Sequence, residues 1–182
     1  LEVAQIRTTE DVVARAPNVV FNTVQSRSQV FIRGVGSSFS LAGAESAVAA
    51  YQDGTYLQRQ GGSTLALFDV ASVQVLRGPQ SVLYGRNATG GAISVMTNDP
   101  VIGVTEGSGE VTYGRFDEYR GQAVLNVPVG DTLAIRVAGM ASGNDAVFEN
   151  DGPGKDIGEN RSYYARGKIG WEPTDNFRAV LS

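Results

Sequence analysis

From residue 110 onward, apolar and polar side chains alternate with a period of two. Residues 122–129 place Ala123, Leu125, Val127 and Val129 on one face, and Gln122, Val124 and Asn126 on the other. Residues 132–140 set Leu133, Ile135, Val137 and Gly139 against Ala134, Arg136 and Ala138. In residues 161–172, Tyr163, Ala165, Gly167, Ile169 and Trp171 oppose Tyr164, Arg166 and Lys168. Residues 110–116 alternate as well, and Phe177, Ala179 and Leu181 oppose Arg178, Val180 and Ser182. Successive side chains of a strand point to opposite faces, so this pattern predicts a run of strands with one apolar face and one polar face. Pro128-Val129-Gly130-Asp131 and Pro173-Thr174-Asp175-Asn176 are short connections, whereas residues 142–160 form a long, acidic, glycine-rich one. Aromatics gather near strand ends, with Tyr113, Phe116 and Tyr119 at one end and Trp171 and Phe177 at the other.

The front of the chain lacks this regularity. Thr8 and Asp11 have the spacing of a capping box, which predicts a helix with Val12, Val13 and Ala16 toward the core and an end before Pro17. Strands are expected over 19–21 and 29–35, and again over 49–53, where Asp53-Gly54 signals a hairpin. Ser63 is a candidate cap for a helical turn over 65–68. Residues 69–100, DVASVQVLRGPQSVLYGRNATGGAISVMTNDP, predict a strand near 73–76 and then a helical turn begun at Pro79 and closed by a left-handed Gly85. A glycine loop over 86–91 and a second strand over 92–97 follow.

LRGPQSVLYGRNATGGAISVMT resembles the signature near the end of the plug domain of TonB-dependent outer-membrane receptors. Two further blocks agree in order: Phe31-Ile32-Arg33-Gly34-Val35, and Val48-Ala49-Ala50-Tyr51-Gln52-Asp53-Gly54. The resemblance implies an α+β plug domain over residues 1–100, a linker over 101–109 and, over 110–182, the first antiparallel strands of a large transmembrane β-barrel. Strands of this kind also build water-facing sandwiches; short turns at one end and long loops at the other match an outer-membrane barrel. A barrel that holds a domain in its bore needs roughly twenty or more strands, so the chain is expected to be a fragment with the barrel not closed.

Composition narrows the chemistry. Among 182 residues there is no cysteine and no histidine, which excludes disulfides, thiolate nucleophiles, Cys/His zinc sites and a Ser-His-Asp triad. A net charge of −4 argues against a nucleic-acid partner. No apolar run is long enough for a transmembrane helix, which leaves barrel strands open. There is no signal peptide at Leu1, so the chain reads as an internal or processed segment.

The loop over 85–91 lacks the Lys-Ser/Thr that would make it a phosphate cradle. Asp145, Glu149, Asp151, Asp156 and Glu159 lack the ordered spacing of a calcium loop and read as a solvated acidic loop. No carboxylate pair stands out as an acid–base couple, so neither a catalytic residue, a metal site nor a cofactor is expected.

Arg33, Arg77 and Arg86 lie beside glycines. They read either as surface arginines or, as the resemblance implies for the IRG and LRGP blocks, as plug contacts to glutamates of the barrel wall. Gln74 stands where the family usually carries a glutamate, which weakens that network. The expected substrate contacts are Phe39, Tyr56, Gln58, Arg59 and Gln60, an aromatic and amide mixture suited to a siderophore or a sugar. The resemblance implies uptake of a scarce nutrient across the outer membrane of a Gram-negative bacterium, a ferric siderophore first, with carbohydrate or cobalamin as alternatives. Its partners are then TonB, through a segment N-terminal to the plug, the small-molecule substrate and outer-membrane lipid. Two readings from other classes are a soluble periplasmic or surface binding module with a β-sandwich, and a hydrolase with an unrecognised site.

Overall fold

The computed structural model describes residues 8–24, 27–37, 46–57, 66–80, 84–85, 87–145, 158–174 and 176–182. The chain divides into two units, Leu1–Asn98 and Asp99–Ser182.

In the first unit, helix α1 (Thr9–Arg15) begins with the expected capping box. Thr8 accepts from the Asp11 amide at 3.4 Å, and Asp11 accepts from the Thr8 amide at 2.8 Å. Two small sheets follow. Strands β1 (Val19–Val24), β2 (Arg27–Ile32) and β3 (Val35–Gly36) form an antiparallel set. Strands β4 (Val48–Gln52), β5 (Thr55–Tyr56), β6 (Val70–Arg77) and β7 (Gly91–Thr97) form a mixed sheet in the order β5-β4-β7-β6. β4 runs parallel to β7, and the other pairs are antiparallel. Val13 of α1, Val19, Val30 and Ile32 of the first sheet, and Val48 and Ile93 of the second close over one core.

Two local expectations are corrected. Residues 29–35 are not one strand: Arg33 and Gly34 take positive φ (52° and 79°) and turn the chain from β2 into β3. A two-residue turn of this hand matches the twist of the paired strands. Asp53-Gly54 makes the same turn between β4 and β5 (47° and 78°), as its sequence signals. The helical turn over 65–68 does not form where it is described, because Ala66 makes a β-bridge to Thr8, and Leu67 and Phe68 are buried outside any helix. Ser63 and Leu65 lie outside the described residues.

After Pro79 the helical bond Tyr84 N–H to Gln80 O is made at 2.9 Å, and Gly85 has φ 70°. Beyond it the backbones nearly touch. A Cβ on Gly91 would lie 2.3 Å from Leu76 O, and one on Gly90 would lie 2.9 Å from Val35 O.

The second unit is a five-stranded antiparallel meander, β8 (Glu106–Tyr113), β9 (Tyr119–Val129), β10 (Leu133–Asn144), β11 (Asn160–Thr174) and β12 (Phe177–Leu181). The linker is shorter than expected. β8 starts at Glu106 rather than 110, since Gly107, Ser108 and Gly109 pair with β9 without offering any apolar alternation to read. The β9–β10 and β11–β12 turns are short, and the long β10–β11 connection leaves from the opposite end. Among the described residues the two edges, β8 and β12, do not meet, so the sheet is open.

The faces fall as the period of two requires. Val111 (85% exposed), Leu125, Val127, Val129, Ile135, Val137, Tyr163, Ile169, Trp171 and Leu181 are uncovered on one face, while Asn126, Ala134, Arg136, Ala138, Met140 and Lys168 are buried on the other. This inverts a water-soluble sheet, where the apolar side is the hidden one. Near the short turns, the exposed rings of Trp171 and Phe177 meet edge to face at 5.7 Å.

Candidate functional site

Two constellations carry the polar chemistry, one in each unit. In the first, Tyr51, Tyr56 and Tyr84 gather over a floor of buried alanines, Ala49, Ala88 and Ala92. Small side chains there leave room for rings. Tyr51 stands 5.5 Å from Tyr56 and 5.0 Å from Tyr84, centroid to centroid. The Tyr51 hydroxyl donates to the Tyr84 carbonyl, and Asn87 Nδ2 donates to the Tyr56 hydroxyl at 2.8 Å. Asn87 sits in the left-handed region (φ 68°), where asparagine is tolerated. Gly78 N–H to Gly90 O (3.1 Å) and Gln80 N–H to Ala88 O (2.8 Å) tie the base of the loop. Burial first, and then neighbouring Tyr56 and Tyr84, push the Tyr51 phenol above its ordinary pKa of 10.0.

Tyr56 is therefore tied to the glycine-loop segment and only half-buried. The other expected substrate contacts, Phe39, Gln58, Arg59 and Gln60, lie outside the described residues, as does Arg86. Arg33 is exposed in the β2–β3 turn, and its amide donates to Asn18 O at 2.8 Å. Arg77 Nη1 donates to Pro17 O at 3.2 Å. Among the described residues no group of three or more His, Cys, Asp and Glu side chains is placed to hold a metal.

In the second unit the polar face is internally paired. Arg136 Nη1 meets Glu106 Oε1 at 2.7 Å, and Gln122 Nε2 donates to Glu110 Oε2 at 2.6 Å. Asn126, with no exposed surface, accepts from Val101 N–H at 3.0 Å and donates to Val101 O and Val104 O at 2.8 and 2.7 Å. Lys168, 4% exposed, meets Asp99 at 2.9 Å. Sequence reasoning placed Asn126 and Lys168 on the polar face but not their partners, which lie 25 and 69 residues away.

A small α+β domain followed by meandering strands, with one uncovered apolar face and one polar face, defines a plug-and-barrel membrane protein seen in part. The TonB-dependent receptor plug domain matches residues 1–92, and the chain belongs to that family. The pesticin receptor of Yersinia enterocolitica (serotype O:8 / biotype 1B) is 32% identical over 160 residues, 87% of this chain. The pesticin receptor of Yersinia pestis is equally similar. The chain spans 22% of the length of these curated relatives. The crystal structure of the ferric yersiniabactin uptake receptor FyuA from Yersinia pestis superposes with a TM-score of 0.85 at 30% identity, covering 96% of this chain and 28% of that one. The pyoverdine outer membrane receptor FpvA from Pseudomonas aeruginosa PAO1 shares the fold, with a TM-score of 0.76 at 17% identity over 96% of this chain and 24% of that one.

Proposed function

We propose that this chain is the plug and opening barrel strands of a Gram-negative outer-membrane receptor that takes up a ferric chelate, with TonB supplying the energy that opens the plug. The observation that carries the reading is the inverted sheet. Its leucine, valine and isoleucine face is exposed while Asn126, Arg136 and Lys168 on the opposite face are buried, an arrangement stable against lipid and unstable in water. The named activity of the ferric yersiniabactin uptake receptor supports an iron chelate over a sugar or cobalamin. In this reading Phe39, Tyr56, Gln58, Arg59 and Gln60 contact the substrate, and Arg33, Arg77 and Arg86 are the plug's breakable polar contacts to the barrel.

The test is uptake of a labelled ferric siderophore by cells whose only such receptor is the full-length protein. Accumulation is expected in energised cells, with binding retained and accumulation lost when TonB is deleted or the proton gradient collapsed. Accumulation that survives both treatments, or no chelate bound at all, refutes the proposal. Arg59→Ala is expected to weaken uptake while leaving membrane insertion unchanged.

A further inference from the structure

The chain changes allegiance within three residues. Thr97 donates through N–H and Oγ1 to the Asp53 carboxylate, at 2.7 Å each. Asn98 donates from Nδ2 to Asp69 Oδ1 at 2.8 Å and from its amide to Asp69 O at 3.0 Å. The next residue, Asp99, accepts from Lys168 Nζ at 2.9 Å and from Arg178 Nη2 at 3.3 Å, both on the five-stranded sheet. Arg178 is steadied in turn by Glu172 at 3.2 Å. Pro100 is buried, and a Cβ on Gly170 would lie 3.2 Å from its Cβ, a close approach that a side chain there could keep only with a shift of a few tenths of an ångström. The three Asn126 bonds then fasten the main chain at Val101 and Val104.

These attachments differ in how they yield to tension. The bonds to Asp53 and Asp69 hold Thr97 and Asn98, at and just beyond the end of β7, to the first unit. Those of residues 99–104 are spread over β9, β11 and β12. They include a fully buried amide and a buried ammonium, whose exposure without partners is unfavourable. Freeing this segment leaves both groups without these partners.

We propose that residues 99–104 are a fixed anchor, and that remodelling of the plug during transport stops at the Asn98–Asp99 junction. Asn126 and Lys168 are the positioning residues that keep this tether on the sheet. The inference rests on the receptor reading.

The close approach of Pro100 and Gly170 supplies the experiment, because Cβ atoms about 3.5–4.5 Å apart accept a disulfide after slight relaxation. In the full-length receptor carrying Pro100→Cys and Gly170→Cys, oxidation is expected to cause no loss of energised uptake. Uptake that is lost on oxidation, with binding intact, and restored by reductant overturns the anchor. If wild-type cells show no energised uptake, the receptor reading has failed and the anchor is judged by pulling alone.

The pulling measurement also stands in if the cysteine pair does not fold. With the wild-type receptor held in a bilayer and drawn from its N-terminal side, the released length is expected to end at Asn98. In the Asn126→Ala, Lys168→Met double variant the released length grows by about 25 Å, residues 99–105 at ~3.5 Å each. A wild-type length that already includes this increment overturns the proposal.

Discussion

Asp53 holds a left-handed turn position and clasps the end of β7 through two bonds to Thr97. Alanine makes neither bond and takes the left-handed position only at a penalty. Asp53→Ala is expected to destabilise the plug by about 2–3 kcal/mol, and Asp53→Asn by clearly less, because asparagine tolerates the same backbone and keeps an acceptor. Urea titration of the detergent-solubilised receptor measures both, and equal midpoints for the two variants would contradict the argument. Gly85 and Gly91 make a second contrast. Gly85→Ala meets open space and carries only the left-handed penalty, about 1 kcal/mol. Gly91→Ala drives a methyl into the Leu76 carbonyl at 2.3 Å and the Ile32 side chain at 2.7 Å, and roughly 2 kcal/mol or more is expected. Tyr51 holds its proton more tightly in the fold than free tyrosine does. Its contribution is complete below the unfolded pKa near 10.0 and is lost as pH rises through the higher folded value. An alkaline absorbance titration is expected to lose one of its late phenols on Tyr51→Phe; an unchanged curve counts against the tyrosine cluster.

At the scale of elements, the second unit depends on which face of each strand meets which medium. β9, β10 and β11 pair in unbroken register, Leu133 with Val129 and Trp171, through Gly143 with Tyr119 and Arg161. A single slip would exchange the two faces entirely. Val137 lies near the middle of β10 on the uncovered face. Val137→Arg is expected to cost about 2–4 kcal/mol of assembly at bilayer depth. Gln122→Lys, on the opposite face beside Glu110, is expected to cost little because it exchanges a hydrogen bond for an ion pair. Heat-modifiable migration of membrane fractions separates the cases: the first variant loses its folded band and the second retains it. Equal loss in both would mean that the faces are not differently solvated.

At the scale of the whole molecule, a sheet that is open among the described residues and carries an uncovered apolar face has no stable form in water. Expressed by itself without detergent, the 182-residue chain is expected to sediment as aggregate, and detergent is expected to disperse it. A monodisperse sample in plain buffer would contradict the membrane assignment. The strand faces, the Thr8–Asp11 cap and the Asp53-Gly54 turn were legible in the sequence because each depends on neighbours within a few residues. The Arg33-Gly34 turn was not, because an arginine at positive φ is no turn signal and only pairing of β2 with β3 selects it. The start of β8 was hidden because Gly107 and Gly109 have no side chains to alternate. The tyrosine cluster joins residues 33 apart, and Lys168 finds Asp99 across 69. Alternation along a strand says which way a side chain points; what it meets there is decided only when distant segments are brought together, because burial and pairing are properties of the packed chain.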